Sequence, residues 1–214
     1  EKLWGLPHGA LDPKPGLTVV EIIQAARRGD VRGMYIMGEN PAMSDPDLNH
    51  AREGLARLEH LVVQDIFLTE TAAFADVVLP ASSFFEKTGS FTNTDRTVQL
   101  GRATSPLPGG VRQDLWIIQE IARRFKLDWN YTGAAEVFEE MRHAMPAIAG
   151  ISWQRLERDG AVTYPCRVEG EASEAVLFQE RFPTLDGRGK LVPVPLLQAN
   201  ELPDVEYPLV LLLV

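Results

Sequence analysis

Three short runs hold the polar groups best placed for chemistry: Gly38-Glu39-Asn40, Gln64-Asp65 and Pro80-Ala81-Ser82. Each follows a strand-like run rich in apolar residues, at 34–37, 61–63 and 76–79, so each stands where a strand would end. In open parallel sheets, ligands bind beyond the carboxyl ends of the strands, where helix N-termini also point their amides outward. Gly38 permits a positive φ or a close backbone approach. Asn40 offers a donor and an acceptor to a base edge, and Ser44, at a helix start, could bond a phosphate. Asp65 is placed like the acidic residue that bonds a ribose hydroxyl in dinucleotide folds. Each also has an ordinary structural use: Asn40-Pro41 as a turn, Ser44 as a helix cap, Asp65 as a strand-end cap. Together the three ends are compatible with a nucleotide-like ligand.

Other chemistries lack their residues. There is no G-x-G-x-x-G after the first apolar run, no P-loop, no H-E-x-x-H and no G-x-S-x-G elbow. Gly187-Arg-Gly-Lys190 is like a phosphate loop only superficially and reads as a hairpin turn. His8, His50, His60 and His143 are scattered, and the spacing of His50 and His60 suits opposite ends of one helix rather than a metal pair. The single cysteine, Cys166, excludes an internal disulfide framework, a Cys-rich zinc site and an iron–sulfur cluster held within these residues. Thirty acidic against 21 basic residues, a net charge of −9, argue against general nucleic-acid binding. No apolar run approaches the roughly 18–20 residues of a spanning helix. The longest, 209–214, is strand-sized, and residues 1–20 lack a signal peptide's basic start and apolar stretch. The expectation is a soluble, acidic, cytoplasmic chain.

The elements that must position these groups are legible in outline. Thr18-Val-Val-Glu21 has capping-box spacing; Val19, Ile22, Ile23 and Ala26 then form one apolar stripe, and Gly29 stands at the C-terminal cap. The continuous apolar run 34–37 predicts a strand buried on both faces. A turn at 39–44 leads into a polar helix over about 46–59, capped by Ser44. A strand at 61–63, a short helix at 69–75 and a strand at 76–79 complete a βαβ pattern. Residues 81–112 read as a long loop, the kind that is functional or packs on something outside these residues. A helix resumes near Asp114 with Leu115, Ile118, Ala122 and Phe125 on one face; another spans 134–143 with Val137, Phe138 and Met141 inward. Runs 176–178 and 190–192 flank Asp186-Gly187 and suggest a hairpin. The fold class is α/β: a Rossmann-like parallel sheet flanked by helices, plus irregular α+β segments.

Four ordered runs are similar to the molybdopterin oxidoreductase family: Met34-Tyr-Ile-Met-Gly-Glu-Asn-Pro-Ala-Met-Ser-Asp45, Val62-Val-Gln-Asp-Ile-Phe-Leu-Thr-Glu-Thr-Ala72, Ala75-Asp-Val-Val-Leu-Pro-Ala81, and Glu86-Lys-Thr-Gly-Ser-Phe-Thr-Asn-Thr-Asp-Arg96. Within it, the chain most resembles the catalytic alpha subunits of molybdenum- or tungsten-dependent formate dehydrogenases. The resemblance is strongest over 31–125, and Glu206-Tyr-Pro-Leu-Val210 resembles the entry into that family's C-terminal cofactor-binding barrel. It implies a bis(molybdopterin guanine dinucleotide) cofactor with molybdenum or tungsten. By position, Asn40, Ser44, Gln64 and Asp114 match residues that touch the guanine dinucleotide, while Gly38, Glu39, Asp65 and Ala81 lie on the same loops. Without the resemblance, Asp114 is simply a helix N-cap. The 86–96 run resembles a loop packed towards an iron–sulfur domain, with Gly89, Asn93 and Arg96 in structural roles.

The family's cluster cysteines, its Cys or selenocysteine metal ligand, and its active-site His and Arg have no counterpart here. The resemblance therefore implies an internal fragment with no catalytic residue and no metal ligand of its own, inactive alone. The expected layout is a Rossmann-like half of the cofactor domain at 1–83 and a loop facing the iron–sulfur domain at 84–112. A returning helix follows at 113–134, then a mixed segment at 135–205 belonging to a neighbouring domain, and the barrel start at 206–214. The implied parent oxidises formate to carbon dioxide and passes electrons through the pterin and an iron–sulfur cluster that this chain does not ligate. Its partners are the remaining domains of the subunit and electron-transfer subunits, with no nucleic acid and no membrane insertion. Two alternatives share the fold: another enzyme of the family such as a nitrate reductase, and a non-catalytic electron-transfer subunit like the large iron–sulfur subunit of respiratory complex I.

Overall fold

The computed structural model describes residues 1–196 and 202–210. The chain forms two compact units, Glu1–Ala175 and Val176–Val214. The first begins with an irregular arm and helix α1 (Val19–Arg28). The capping box forms: Thr18 Oγ1 accepts from Glu21 N at 3.4 Å, and Glu21 Oε2 accepts from Thr18 N at 2.7 Å. These bonds satisfy amides that have no partner inside the helix, and Gly29 ends it with φ 80°. The buried face is Ile23, Ala25 and Ala26. Val19, expected on that face, is 73% exposed, because it sits in the first turn before the helix reaches its neighbour.

Strands β1 (Gly33–Met37), β2 (His60–Asp65) and β3 (Val77–Pro80) form a parallel sheet in that order. Between β1 and β2 lie α2 (Pro41–Ser44) and α3 (Leu48–Ala56). Helix α3 is shorter than expected, and its N-cap is Asp47, which accepts from His50 N; Ser44 instead closes α2. Gly54 lets α3 approach α1 closely, since a Cβ there would lie 3.0 Å from Ile23 O. The core on this side joins Ile36, Ala42, Leu55, Leu61, Val63 and Ala72. Each of the larger aliphatic side chains contributes about 1.5–3 kcal/mol by burial.

Only one face of β1 is buried, contrary to the reading of its apolar run. Side chains alternate across a strand, so Met34 and Ile36 face the core while Tyr35 and Met37 turn to the other side. Tyr35 and Met37 are 43% and 48% exposed, and Val77, in line with them across the sheet, is 40% exposed.

The 84–112 stretch is not a structureless loop. It contains β4 (Gly89–Thr92) and β5 (Thr97–Gly101), an antiparallel pair that β6 (Ala161–Thr163) extends. Its core gathers Val98, Phe138, Ile148, Ile151, Leu156, Val162 and Cys166. Around it stand α5 (Ala134–Ala144) and α6 (Trp153–Asp159), while α4 (Asp114–Arg124) begins beside β2, where Asp114 accepts from Gln64 Nε2. On α4 the buried residues are Ile117, Gln119 and Ala122, whereas Phe125 is exposed past the helix end. On α5, Phe138 is buried and Met141 is not.

In the second unit the expected hairpin is absent among the described residues. Asp186-Gly187 does form a turn, with Asp186 Oδ1 accepting from Arg188 N and Thr184 Oγ1, and Gly187 at φ 75°. Strands do not flank it: Pro193 and Pro195 remove amide donors just where a ladder would run. Residues 211–214 of the apolar run 209–214 lie outside the described residues, and Leu209 and Val210 form no strand. Among the described residues, no helix is long and apolar enough to cross a membrane.

Candidate functional site

The parallel register brings the polar strand ends level. Met37 pairs with Gln64, Gln64 with Leu79, and Asp65 with Pro80. Gly38, at φ 66°, turns the chain out of β1 while its amide donates to Gln64 O at 2.9 Å. A side chain at that φ would be strained, so glycine is required by the turn itself. Ala81 N donates to Asp65 O at 3.0 Å, and Ala81 forms a parallel bridge with Arg112, two residues before α4. Four loops thus meet at one end of the sheet.

Gln64 is the centre of this end. Its side chain is fully buried, accepts from the Tyr35 hydroxyl, and donates through Nε2 to Asp114 Oδ1 at 2.7 Å. The other Asp114 oxygen is ion-paired with Lys87, whose Nζ also donates to Ser82 O at 3.2 Å. Burial, and secondarily the Asp114 charge, push the Tyr35 hydroxyl above its ordinary pKa, so it remains a donor at neutral pH. Beside the ion pair lies a cavity of about 220 Å³, walled by Lys87, Ser90, Gln113 and Asp114 on its polar side and Leu115 and Phe138 on its apolar side. Lys87 carried no signal of this role in the sequence, because the pairing spans 27 positions. Asp114 is the first residue of α4; the N-cap is Gln113.

The remaining predicted residues divide. Asn40 is consumed by the protein: Oδ1 accepts from Thr71 N and Oγ1 at 3.1 and 2.7 Å, and Nδ2 donates to Glu70 Oε2 at 2.8 Å. Thr71 Oγ1 in turn accepts from Ala42 N at 3.0 Å, so Asn40 and Thr71 fix the α2 turn. The amide of Asn40 holds the Glu70 carboxyl below its usual range. Ser44 donates to Asn40 O at 3.0 Å and sits at the end of a helix, not at a start, so it has no dipole to offer a phosphate. Asp65 Oδ1 caps its strand end by accepting from Ile66 N and Phe67 N at 2.7 and 3.2 Å. Glu39 is exposed, and Ala81 is buried with its backbone in the bridge. The Ser82 hydroxyl, also buried, has no hydrogen-bond partner among the described residues.

Residues 5–124 match the family model of the molybdopterin oxidoreductases. The F420-dependent formate dehydrogenase subunit alpha of Methanocaldococcus jannaschii is 44% identical over 203 residues, covering 94% of this chain and 30% of that protein. An F420-dependent formate dehydrogenase 2 subunit alpha of Methanococcus maripaludis is 41% identical, covering 99% of this chain and 31% of that protein. The assimilatory nitrate reductase catalytic subunit of Bacillus subtilis is 36% identical, covering 98% and 31%. The chain therefore spans under a third of the length of these curated relatives. Among solved structures, acetylene hydratase from Pelobacter acetylenicus shares the fold at a TM-score of 0.56 and 19% identity, over 68% of this chain and 20% of that one.

Proposed function

The chain belongs to the molybdopterin oxidoreductase family, and we propose that it supplies part of a bis(molybdopterin guanine dinucleotide) site in a formate dehydrogenase alpha subunit. The observation that carries this reading is the convergence of Gly38, Gln64, Asp65, Ala81 and Asp114 at one end of the parallel sheet. The donor set suits a guanine edge. Asp114 is a carboxylate with lone pairs beyond those used by Gln64 and Lys87, and Gln64 has an amide hydrogen beyond the one it gives to Asp114. Guanine presents adjacent N–H donors and a carbonyl acceptor, which such a pair would satisfy.

In this reading Gln64 and Asp114 hold the base, and Gly38, Glu39, Asp65 and Ala81 line its approach. Asn40 and Ser44, which also hold the α2 turn in shape, touch the dinucleotide from the loop after β1. Tyr35 fixes the Gln64 amide orientation, because its hydroxyl donates to Oε1 and so directs Nε2 at Asp114. When bound, the group supplies two-electron redox chemistry at molybdenum or tungsten, the chemistry by which the whole protein oxidises formate to carbon dioxide. The metal ligand and an iron–sulfur cluster belong to the rest of the polypeptide, and electron-transfer subunits take up the electrons. The 214 residues alone are inactive towards formate.

The nitrate reductase relative, similar over nearly the whole chain, supports a second reading in which the same site serves nitrate reduction. Purifying the full-length polypeptide, quantifying pterin and metal, and assaying formate and nitrate separates the two. Formate oxidation with bound pterin is expected. Nitrate turnover without formate turnover selects the second reading, and a preparation with neither pterin nor molybdenum or tungsten removes both.

A further inference from the structure

Gln64 and Asp114 differ in one respect that matters to a ligand. The Asp114 side chain is 27% exposed, so a base can reach it from solvent. Gln64 is 0% exposed, its amide bonded at Oε1 by the Tyr35 hydroxyl and at Nε2 by Asp114. A ligand that touches both residues therefore needs one of the two groups bonded to Gln64 to move.

Asp114 is the fixed one. Its second oxygen is paired with Lys87. The chain entering α4 is tied to the sheet, with Arg112 N donating to Pro80 O at 3.2 Å and Ser82 N to Arg112 O at 3.0 Å. Further along α4, Gln119 Oε1 accepts from Tyr131 N at 2.7 Å and Gln119 Nε2 donates to Tyr131 O at 3.2 Å. Tyr35 has no such ties. It stands on β1, an edge strand of the three-stranded sheet, and among the described residues its hydroxyl has no hydrogen-bond partner besides Gln64. Its ring shares a face with Met37 and Val77, which are as exposed as Tyr35 itself. A change of rotamer thus moves the ring over open surface and not into a packed core.

We infer that Tyr35 is a cover over Gln64, which closes the base subsite in the ligand-free chain and swings out when the base binds. The inference rests on the guanine reading above and deepens it. Until the base arrives, the hydroxyl orients the amide and satisfies Oε1. A guanine N–H can then take its place, so no buried polar atom is left without a partner in either state. A ligand restricted to the open state binds with its affinity reduced by the open fraction.

The test is the sign of a change in affinity. Were the hydroxyl only to orient the amide, its loss would weaken binding. As a cover, it holds the site closed through that one bond, and its loss raises the open fraction. In calorimetric titration of the full 214-residue chain with guanosine, Tyr35→Phe should bind about three- to tenfold more tightly than the unchanged chain, the factor for one hydrogen bond. Val77→Ala, on the same open face but without a bond to the amide, should stay within about twofold of the unchanged chain. Equal or weaker binding by Tyr35→Phe overturns the cover and leaves the guanine reading standing, as does a gain in Val77→Ala to match that of Tyr35→Phe. Binding by Tyr35→Phe alone upholds the cover in its strongest form. Absence of guanosine binding by the unchanged chain and by Tyr35→Phe removes the guanine reading, and the cover with it.

Discussion

At the strand ends of the parallel sheet, side-chain amides, hydroxyls and carboxylates bond one another; around the antiparallel sheet, Arg96, Arg142 and Arg155 bond main-chain carbonyls. Gln64 lies between Tyr35 and Asp114, and Asn40 between Thr71 and Glu70. By contrast Arg96 donates to Tyr164 O, Glu174 O and Ala175 O at 2.6, 3.0 and 2.7 Å. Arg142 donates twice to Ala149 O, and Arg155 donates to Gly150 O and Glu171 O at 3.0 and 2.8 Å. The first kind of network converges on the strand ends and leaves hydrogen-bonding capacity over. The second uses up its donors to satisfy carbonyls that no ladder reaches. The proposed ligand site belongs with the first, and the structural role expected for Arg96 belongs with the second.

The sharpest way to break that distinction is Arg155→Met. Arg155 is 9% exposed, and its loss strands two carbonyls and a contact to Cys166 Sγ. With each unsatisfied buried group costing about 1–3 kcal/mol, unfolding in urea should show a loss of about 3 kcal/mol. Nucleotide binding by the folded fraction should be unchanged. A stable variant with impaired binding would mean that the two networks are not separate in role.

Gln64→Ala probes the other side. In the full-length polypeptide it should weaken cofactor retention by about 1–3 kcal/mol, read as pterin lost on dialysis, because a buried partner is left unpaired. Unchanged retention would displace the site from the strand ends. Thr71→Val is smaller and structural: it leaves the Ala42 amide without its acceptor and should cost about 1–2 kcal/mol in urea unfolding. Because Asn40 accepts from Thr71 N and Oγ1, Asn40→Ala should follow Thr71→Val in its stability loss.

The same contrast explains what was legible in the sequence. The α1 capping box, the three parallel strand ends and the Gly38 turn are local, carried by periodicity or by residues three or four apart. The antiparallel sheet was hidden because β6 pairs with β5 across some sixty positions, and its glycines, such as Gly89 opposite Gly101, read as breakers. Arg96, at φ 71°, turns the β4–β5 hairpin without the glycine such a turn usually advertises. Ser44 reads as a cap because the apolar and polar pattern starts the helix at about 46, whereas the backbone starts it at Leu48 and leaves Asp47 as the N-cap. Lys87 pairs with Asp114 across 27 positions, so residue type alone did not mark it.

The smallest expected effect concerns pH. On α5, Glu140 accepts from the Tyr131 hydroxyl at 2.5 Å and from the Trp4 indole at 2.8 Å, which joins the N-terminal arm to the helix. Those two bonds, Tyr131 first, hold the Glu140 carboxyl below its ordinary value. The same carboxylate raises the Tyr131 hydroxyl. A lowered carboxyl contributes stability that is full above its unfolded pKa and is lost as pH falls through the folded one. A raised phenol contributes stability below its unfolded pKa that is lost as pH rises through the folded one. The pair therefore holds the arm fully from about pH 4.5, the ordinary carboxyl value, to about pH 10, and is lost only beyond those limits. Trp4 fluorescence should change on both limbs, whereas Glu140→Gln should remove the acid limb because its amide does not titrate. Glu70→Gln, on the parallel-sheet side, should leave the Trp4 signal as it was. Movement of Trp4 in that variant would show that the two networks communicate, and the contrast between them would then fail at its weakest point.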